Sequence, residues 1–131
     1  MRYGYEQQVL NEMEGFFLTM AKTTGTLWEH KAPSASCNHG FAAHIARVLY
    51  RDVLGVQDIS PTEKKVTLRF NDCGLNHCKG SIPVGDESVD IEWTMESGEL
   101  NANITIPKGY TPVRICNKEL KKENVTICYA E

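Results

Sequence analysis

The stretch that decides the fold is VDIEWTMESGELNANITI, residues 89–106. Apolar and polar residues alternate along both of its halves, which is typical of β-strands with one buried face and one wet face. The segment Glu96-Ser97-Gly98-Glu99 separates the two runs and predicts a hairpin turn, because Gly tolerates the positive φ that a tight turn needs. Trp93 shares the apolar face of the first run, so we expect it in the core rather than on a ligand-stacking surface.

The same alternation continues along the rest of the second half of the chain. Further strands are predicted at residues 66–70, 111–116 and 124–129. Pro83, Pro107 and Pro112 fall at strand ends or edges, where a missing N–H is tolerated. Together these strands predict a small antiparallel β-sandwich over residues 58–131.

The first half of the chain has the period of a helix instead. One helix is predicted from Tyr5 to about Lys22, and it ends at the Thr-Thr-Gly that follows. A second helix, capped by Ser36 or Asn38, ends at Gly55. The two apolar stripes consist of Val9, Met13, Phe16, Phe17 and Met20, and of Phe41, Ile45, Val48, Leu49 and Val53. The fold class is therefore α+β by segments, with two helices over residues 1–57 followed by the sandwich.

Composition and charge exclude several classes of function. The net charge is −3, and neither half of the chain carries a basic excess, so a nucleic-acid surface is not expected. Acidic and amide side chains interrupt every apolar run in the first twenty residues, so we expect no signal peptide and no membrane span. These observations assign no compartment.

The five cysteines are an odd number with irregular spacing, which favours free buried thiols over a disulfide framework. Cys73, His77 and Cys78 lie close together in sequence, but no second ligand pair with zinc-finger spacing follows them. We therefore expect no metal and no cofactor. Asp52 and Asp58 have the pattern of ordinary surface acids.

The connector between the helices, TTGTLWEHKAPSASCNHGF at residues 23–41, is dense in reactive and ring-stacking groups. Loops on rigid scaffolds are where binding and catalytic residues concentrate. Trp28 could shield and orient the Glu29 carboxylate, although most loop glutamates are simply solvated. His39, which follows Asn38, could donate a hydrogen bond to a ligand hydroxyl or could brace its own helix.

These segments resemble a known family of enzymes. The motif Gly25-Thr26-Leu27-Trp28-Glu29, the run Ser36-Cys37-Asn38-His39-Gly40-Phe41 and the helix end at residues 48–55 resemble the end of the catalytic domain of bacterial α-L-rhamnosidases, glycoside hydrolase family 78. Residues 79–83, 89–95 and 104–107 resemble the C-terminal β-sandwich of the same enzymes. The resemblance implies that residues 1–57 are the last helices of an incomplete (α/α)6 barrel, and that residues 58–131 are the sandwich domain.

The resemblance also implies a site. Glu29 takes the place of the general base, and Trp28, Asn38 and His39 line the sugar pocket. Inverting hydrolysis of a glycoside needs a second carboxyl group, the general acid, roughly 6.5–9.5 Å from the base. In the family that acid lies in earlier barrel segments. The chain is therefore expected to act on a rhamnose-containing glycan or glycoside only together with the missing barrel segment, and to be inactive alone. Self-association through exposed helix faces is a further expectation.

Two other interpretations remain open from the sequence. The sandwich could be a non-catalytic carbohydrate-binding or accessory module, which predicts a row of exposed aromatic side chains. The chain could also be an inert gene remnant.

Overall fold

The computed structural model describes residues 6–30, 36–37, 40 and 44–131. The chain divides into two compact units, Met1–Val48 and Leu49–Glu131. The sequence suggested a boundary between residues 57 and 58, whereas residues 49–57 belong to the second unit. The segment Leu49–Leu54 packs on the first and third strands of that unit, which explains its placement there. The assignment of the first unit to barrel helices stays a prediction.

The first unit contains the predicted amphipathic helix. It begins as α1 (Glu6–Glu12), passes through a π-helical segment (Met13–Phe17) and continues as α2 (Leu18–Thr24). It ends at Gly25, whose φ of 74° is the left-handed conformation of a helix C-cap. A second short helix, α3 (His44–Val48), follows in the same unit. Met20 is buried, and the other residues of the first apolar stripe are half-buried.

The second unit begins with the π-helical segment Leu49–Leu54 and continues with seven strands. They are β1 (Val56–Ser60), β2 (Lys65–Leu68), β3 (His77–Val84), β4 (Glu87–Glu96), β5 (Glu99–Ile106), β6 (Thr111–Arg114) and β7 (Lys122–Tyr129). They form a three-stranded sheet in the order β1-β2-β6 and a four-stranded sheet in the order β3-β4-β5-β7. Both sheets bury one face, which is the pattern of a sandwich.

The stretch at residues 89–106 forms the centre of the larger sheet, as expected. Trp93 is 1% exposed, so the prediction that it belongs to the core is confirmed. The turn between β4 and β5 consists of Ser97 and Gly98, with φ of 51° and 81°, between the paired residues Glu96 and Glu99. Two consecutive positive φ angles are typical of the type I′ hairpin, whose twist matches that of the flanking strands.

Strand direction is where the second unit departs from the expected antiparallel sandwich. The α+β architecture is as predicted, but β2–β6 and β5–β7 are parallel pairs. The chain leaves β5, forms β6 in the other sheet and returns as β7, and such a crossover lets the returning strand run parallel to its partner. Alternation marks which residues face the core, but it carries no information on direction.

Two strands and one buried charge were not anticipated. β1 was not predicted, and β3 includes Gly80 and Pro83, which weaken the signal of a strand. Pro83 is accommodated because β3 lies at the edge of its sheet. Asp52 is buried rather than on the surface, and its Oδ2 lies 2.6 Å from Nη2 of Arg51. Asp58 is exposed, as expected.

The cysteines also differ from expectation. No disulfide links the five cysteines, and Cys73 alone among them is buried, while Cys78 is half-buried. The other three are exposed. Cys37 lies in the connector, Cys116 follows β6, and Cys128 lies on the outer side of β7. Within the described ranges, no helix combines the length and the apolar character that crossing a membrane requires.

Candidate functional site

The connector after the first helix is held by a chain of hydroxyl contacts. The Gly25 N–H donates to the Ala21 carbonyl oxygen at 2.9 Å and closes the helix. Thr24 Oγ1 donates to the Met20 carbonyl oxygen at 3.3 Å and lies 3.0 Å from Thr26 Oγ1. The Thr26 hydroxyl in turn donates to the carbonyl oxygen of Cys37, on the far side of the connector. The two threonines thereby hold the chain on both sides of the Trp-Glu pair.

Trp28 is anchored against the end of the helix that precedes it. Its indole Nε1–H donates to Thr24 Oγ1 at 2.7 Å, and its backbone N–H donates to Met20 Sδ at 3.3 Å. Met20 is 1% exposed, so one of the two anchors is itself fixed in packed structure. The indole is half-buried. A residue held through both its ring and its backbone, with part of the ring open to solvent, can serve as a rigid wall for a ligand.

Glu29 follows immediately and presents its side chain to the outside. Its backbone N–H donates to the Ser36 carbonyl oxygen at 3.0 Å, which closes the base of the connector. The side chain is exposed. A backbone fixed at residues 28 and 29 with an outward carboxylate is the geometry that a base needs when its substrate approaches from solvent.

The predicted sugar-pocket residues Asn38 and His39 lie outside the described residues, so their roles stay predictions. Of the residues that follow them, His44 is exposed. Of the four predicted site residues, only Trp28 and Glu29 can be placed, and they lie side by side in the closed connector. Sequence reasoning missed Thr24, whose hydroxyl fixes the indole. The sequence does place a Thr four residues before the Trp, a spacing at which a hydroxyl can reach the indole N–H.

An apolar groove of about 610 Å³ lies in the same unit, between the first helix and α3. Both predicted apolar stripes contribute to it. Its lining residues are Gln8, Val9, Glu12, Phe17, His44, Ile45 and Val48. Apolar side chains in an open groove leave surface that another helix can cover.

The second unit contains no comparable constellation in its described residues. His77 does not join Cys73 and Cys78, since its Nε2 lies 3.1 Å from Oε1 of Glu92. Lys79 Nζ binds the other oxygen of the same carboxylate at 2.9 Å. Both contacts lower the pKa of Glu92 below its ordinary value, and the contact from Lys79 has the larger effect. Over the part of the chain that the structure describes, no group of three or more His, Cys, Asp or Glu side chains is placed to hold a metal ion.

Two known proteins resemble this chain, one in sequence and one in fold. No family model matches the sequence. The sequence is 33% identical over 73 residues to an α-L-rhamnosidase of Alteromonas sp. (strain LOR), a match that covers 55% of this chain and 8% of that protein. The structure superimposes on the crystal structure of the GH78 family rhamnosidase of Bacillus sp. GL1 with a TM-score of 0.77 at 17% identity. That superposition covers 98% of this chain and 15% of the other.

The chain resembles part of a rhamnosidase. The resemblance predicted from the sequence is thereby confirmed, and the fold is that of a segment of a GH78 rhamnosidase. The chain spans 8% of the length of the curated relative and 15% of the solved one. The activity and substrates of those whole proteins therefore bear on this chain only as proposals.

Proposed function

We propose that this chain supplies one wall of a rhamnosidase-like active site, with Glu29 as the general base of an inverting hydrolysis. Trp28, Asn38 and His39 form the sugar-facing surface beside it. The observation that carries the proposal is the anchored Trp28-Glu29 pair, in a chain that is 33% identical to an α-L-rhamnosidase over 73 residues. The substrate class is a rhamnose-containing glycan or glycoside.

The chemistry assigned to Glu29 requires an ionised carboxylate and a fixed backbone. The carboxylate accepts a proton from a water molecule, which then attacks the anomeric carbon on the face opposite the leaving group. The hydrogen bond from Glu29 N–H to Ser36 fixes the backbone, and the two anchors of Trp28 fix the preceding residue. Positioning of this kind matters because a proton acceptor acts only within hydrogen-bond reach of the attacking water.

The general acid comes from a different segment of barrel. Inversion needs a second carboxyl group on the opposite side of the sugar, and the connector at residues 23–41 contains Glu29 as its single acidic residue. The groove between the first helix and α3 is where the neighbouring barrel helices pack, since most of its accessible surface is apolar. By itself the 131-residue chain is accordingly inactive, and it turns over substrate only when that barrel surrounds the connector.

A replacement experiment tests this assignment. In the Bacillus sp. GL1 rhamnosidase, the superimposed segment is exchanged for this chain, and release of the aryl group from an aryl α-L-rhamnoside is measured. The sugar formed first is expected to be the β-anomer, which proton NMR of the fresh product detects. Glu29→Gln is expected to lower kcat by about 10²–10⁴-fold, the usual contribution of a general base. Glu14→Gln, an exposed glutamate on the preceding helix, is the matched control.

Azide distinguishes a base from a merely structural glutamate. In Glu29→Ala, a small anion can attack in place of the activated water, so azide is expected to restore turnover and to yield the inverted glycosyl azide. Full activity of Glu29→Gln in the replaced enzyme refutes the assignment of Glu29. If the unmodified replacement folds, as judged by circular dichroism, but is inactive, the proposal that this segment completes the site is refuted.

A further inference from the structure

The free edge of β7 is unlike the other edges of the two sheets. In the four-stranded sheet β7 is the last strand, and among the described strands it pairs only with β5. The Ala130 N–H donates to the Ile106 carbonyl oxygen at 2.9 Å, so even-numbered residues of this strand direct their backbone groups toward β5. Successive residues of a strand alternate in this respect, and residues 123, 125, 127 and 129 therefore direct their N–H and C=O groups to the outer edge.

The remaining edge strands are protected against pairing with another chain. β3 contains Pro83, and β6 is only four residues long and contains Pro112. β1 has an irregular register between Val56 and Asp58. Proline, short length and bulges are the devices by which edge strands avoid association. β7 has eight residues with neither Pro nor Gly, and its single lysine stands at its first position.

The side chains of β7 also lack full cover on the core-facing side. Val125 and Ile127 are only half-buried, and Tyr129 is 53% exposed. Their partners in β5, Ala102, Ile104 and Ile106, are almost completely buried. An added strand beside β7 would extend the sheet and cover these three apolar side chains.

We propose that β7 pairs in antiparallel fashion with β7 of a second copy of this chain, with Thr126 on the twofold axis. Antiparallel pairing of the outward backbone groups requires that odd-numbered residues face odd-numbered residues. With Thr126 at the centre, Val125 lies opposite Ile127 of the second copy, and Glu123 lies opposite its Tyr129. The apolar side chains of the strand therefore lie opposite each other in the pair.

Glu123 favours this register over its two neighbours. With Val125 at the centre, Glu123 would lie opposite the apolar Ile127 of the second copy, and with Ile127 at the centre it would lie opposite Glu131. An apolar partner offers a carboxylate no hydrogen bond, and like charges directly opposite each other destabilise a strand pair. The pairing centred on Thr126 is the one of the three that sets Glu123 against a side chain with a hydroxyl group, that of Tyr129.

Cross-linking of the full chain tests the register directly. Thr126 would form a non-hydrogen-bonded pair with Thr126 of the second copy, and the two Cα atoms of such a pair lie about 4.5 Å apart. Disulfides span Cα–Cα distances of about 4.4–6.8 Å, so cysteines at this position could be bridged. In a background in which the exposed Cys37, Cys116 and Cys128 are serine, Thr126→Cys is expected to form a disulfide dimer of twice 14.7 kDa under mild oxidation. Asn124→Cys in the same background is expected to remain monomeric on a non-reducing gel.

Restoring Cys128 provides a second test of the register, because Asn124 would lie opposite Cys128 of the second copy. Asn124→Cys is therefore expected to cross-link only when Cys128 is present. Efficient cross-linking of Asn124→Cys without Cys128, or none of Thr126→Cys, overturns the proposed pairing.

Val125→Pro distinguishes this edge from other surfaces. Its N–H faces the outer edge, so proline removes a bond to the second copy while the bonds to β5 remain. One bond is lost from each copy, and we expect the dissociation constant measured by sedimentation velocity to rise at least about tenfold. The urea midpoint of the monomer should stay close to that of the unmodified chain. A dimer that survives Val125→Pro, or an unmodified chain that stays monomeric at every concentration, overturns the proposal.

Discussion

Removing the buried charge of Asp52 is expected to destabilise the second unit. Asp52 Oδ2 lies 2.6 Å from Arg51 Nη2, and the two carboxylate oxygens lie 3.1 and 3.2 Å from Arg51 Nε. The hydrogen bond to Asp52 raises the pKa of Arg51 above its ordinary value. The backbone of Asp52 also accepts a hydrogen bond from Asn71 Nδ2 at 3.2 Å. Asp52 makes both contacts from within the π-helical segment that leads into β1.

The magnitude follows from how unequally the two partners are exposed. The side chain of Asp52 is 4% exposed, whereas that of Arg51 is 38% exposed. Breaking a fully buried pair costs about 3–5 kcal/mol, and an exposed pair contributes about 0.2–1 kcal/mol. Arg51 can regain hydration on its open side, so we expect Asp52→Asn to lower the free energy of unfolding by about 1.5–3 kcal/mol.

A double-mutant cycle in urea measures the interaction itself. Asp52→Asn, Arg51→Met and the double variant are compared in a Trp28→Phe background, so that the fluorescence of the buried Trp93 reports the second unit alone. Methionine retains the apolar stem of Arg51, so the cycle isolates the charge contact. We expect a coupling free energy of about 1–2 kcal/mol.

The exposed pair Glu63–Lys65 is the matched control. Lys65 Nζ and Glu63 Oε2 lie 2.8 Å apart, close to the 2.6 Å of the Arg51–Asp52 pair, but the side chains of Lys65 and Glu63 are 49% and 61% exposed. The equivalent cycle is expected to give a coupling free energy well below that of the Asp52 pair, because water screens an exposed pair. If the Asp52 cycle gives as little as the control, burial does not strengthen the pair, and the reasoning is refuted.

Two further predictions concern titratable groups. The pKa of Glu92 is lowered by Lys79 and then by His77, so its stabilising contribution is present above the ordinary value of 4.5 and is lost as the pH falls through the lowered pKa. The difference in urea midpoint between the unmodified chain and Glu92→Gln should therefore shrink toward zero in acid, and a difference independent of pH contradicts this. Burial raises the pKa of the Cys78 thiol above 9.0, with a smaller contribution from Cys73. At pH 8, iodoacetamide should alkylate Cys78 at least several-fold more slowly than the exposed Cys116, as peptide mass spectrometry can measure; equal rates contradict the prediction.

Much of the fold could be predicted because local periodicity reports which residues are buried. The alternation at residues 89–106 placed Trp93 in the core, and the Ser97-Gly98 turn followed from the backbone freedom of glycine. Helical spacing placed the first helix, and the Thr-Thr-Gly segment placed its end within two residues. These features depend on neighbours in sequence, so the sequence determined them by itself.

The tertiary structure decided the features that depend on distant partners. The parallel pairing of β5 with β7 arises because the chain passes through the other sheet, and no local pattern encodes that route. Asp52 is buried because Leu49–Leu54 packs against β1 and β3, although its position in the sequence resembled that of a surface acid. The Trp28-Glu29 motif was visible from the start. That Thr24 fixes the indole and Met20 the backbone of Trp28, while the adjacent Glu29 is exposed, became visible only when the helix end and the connector were folded together.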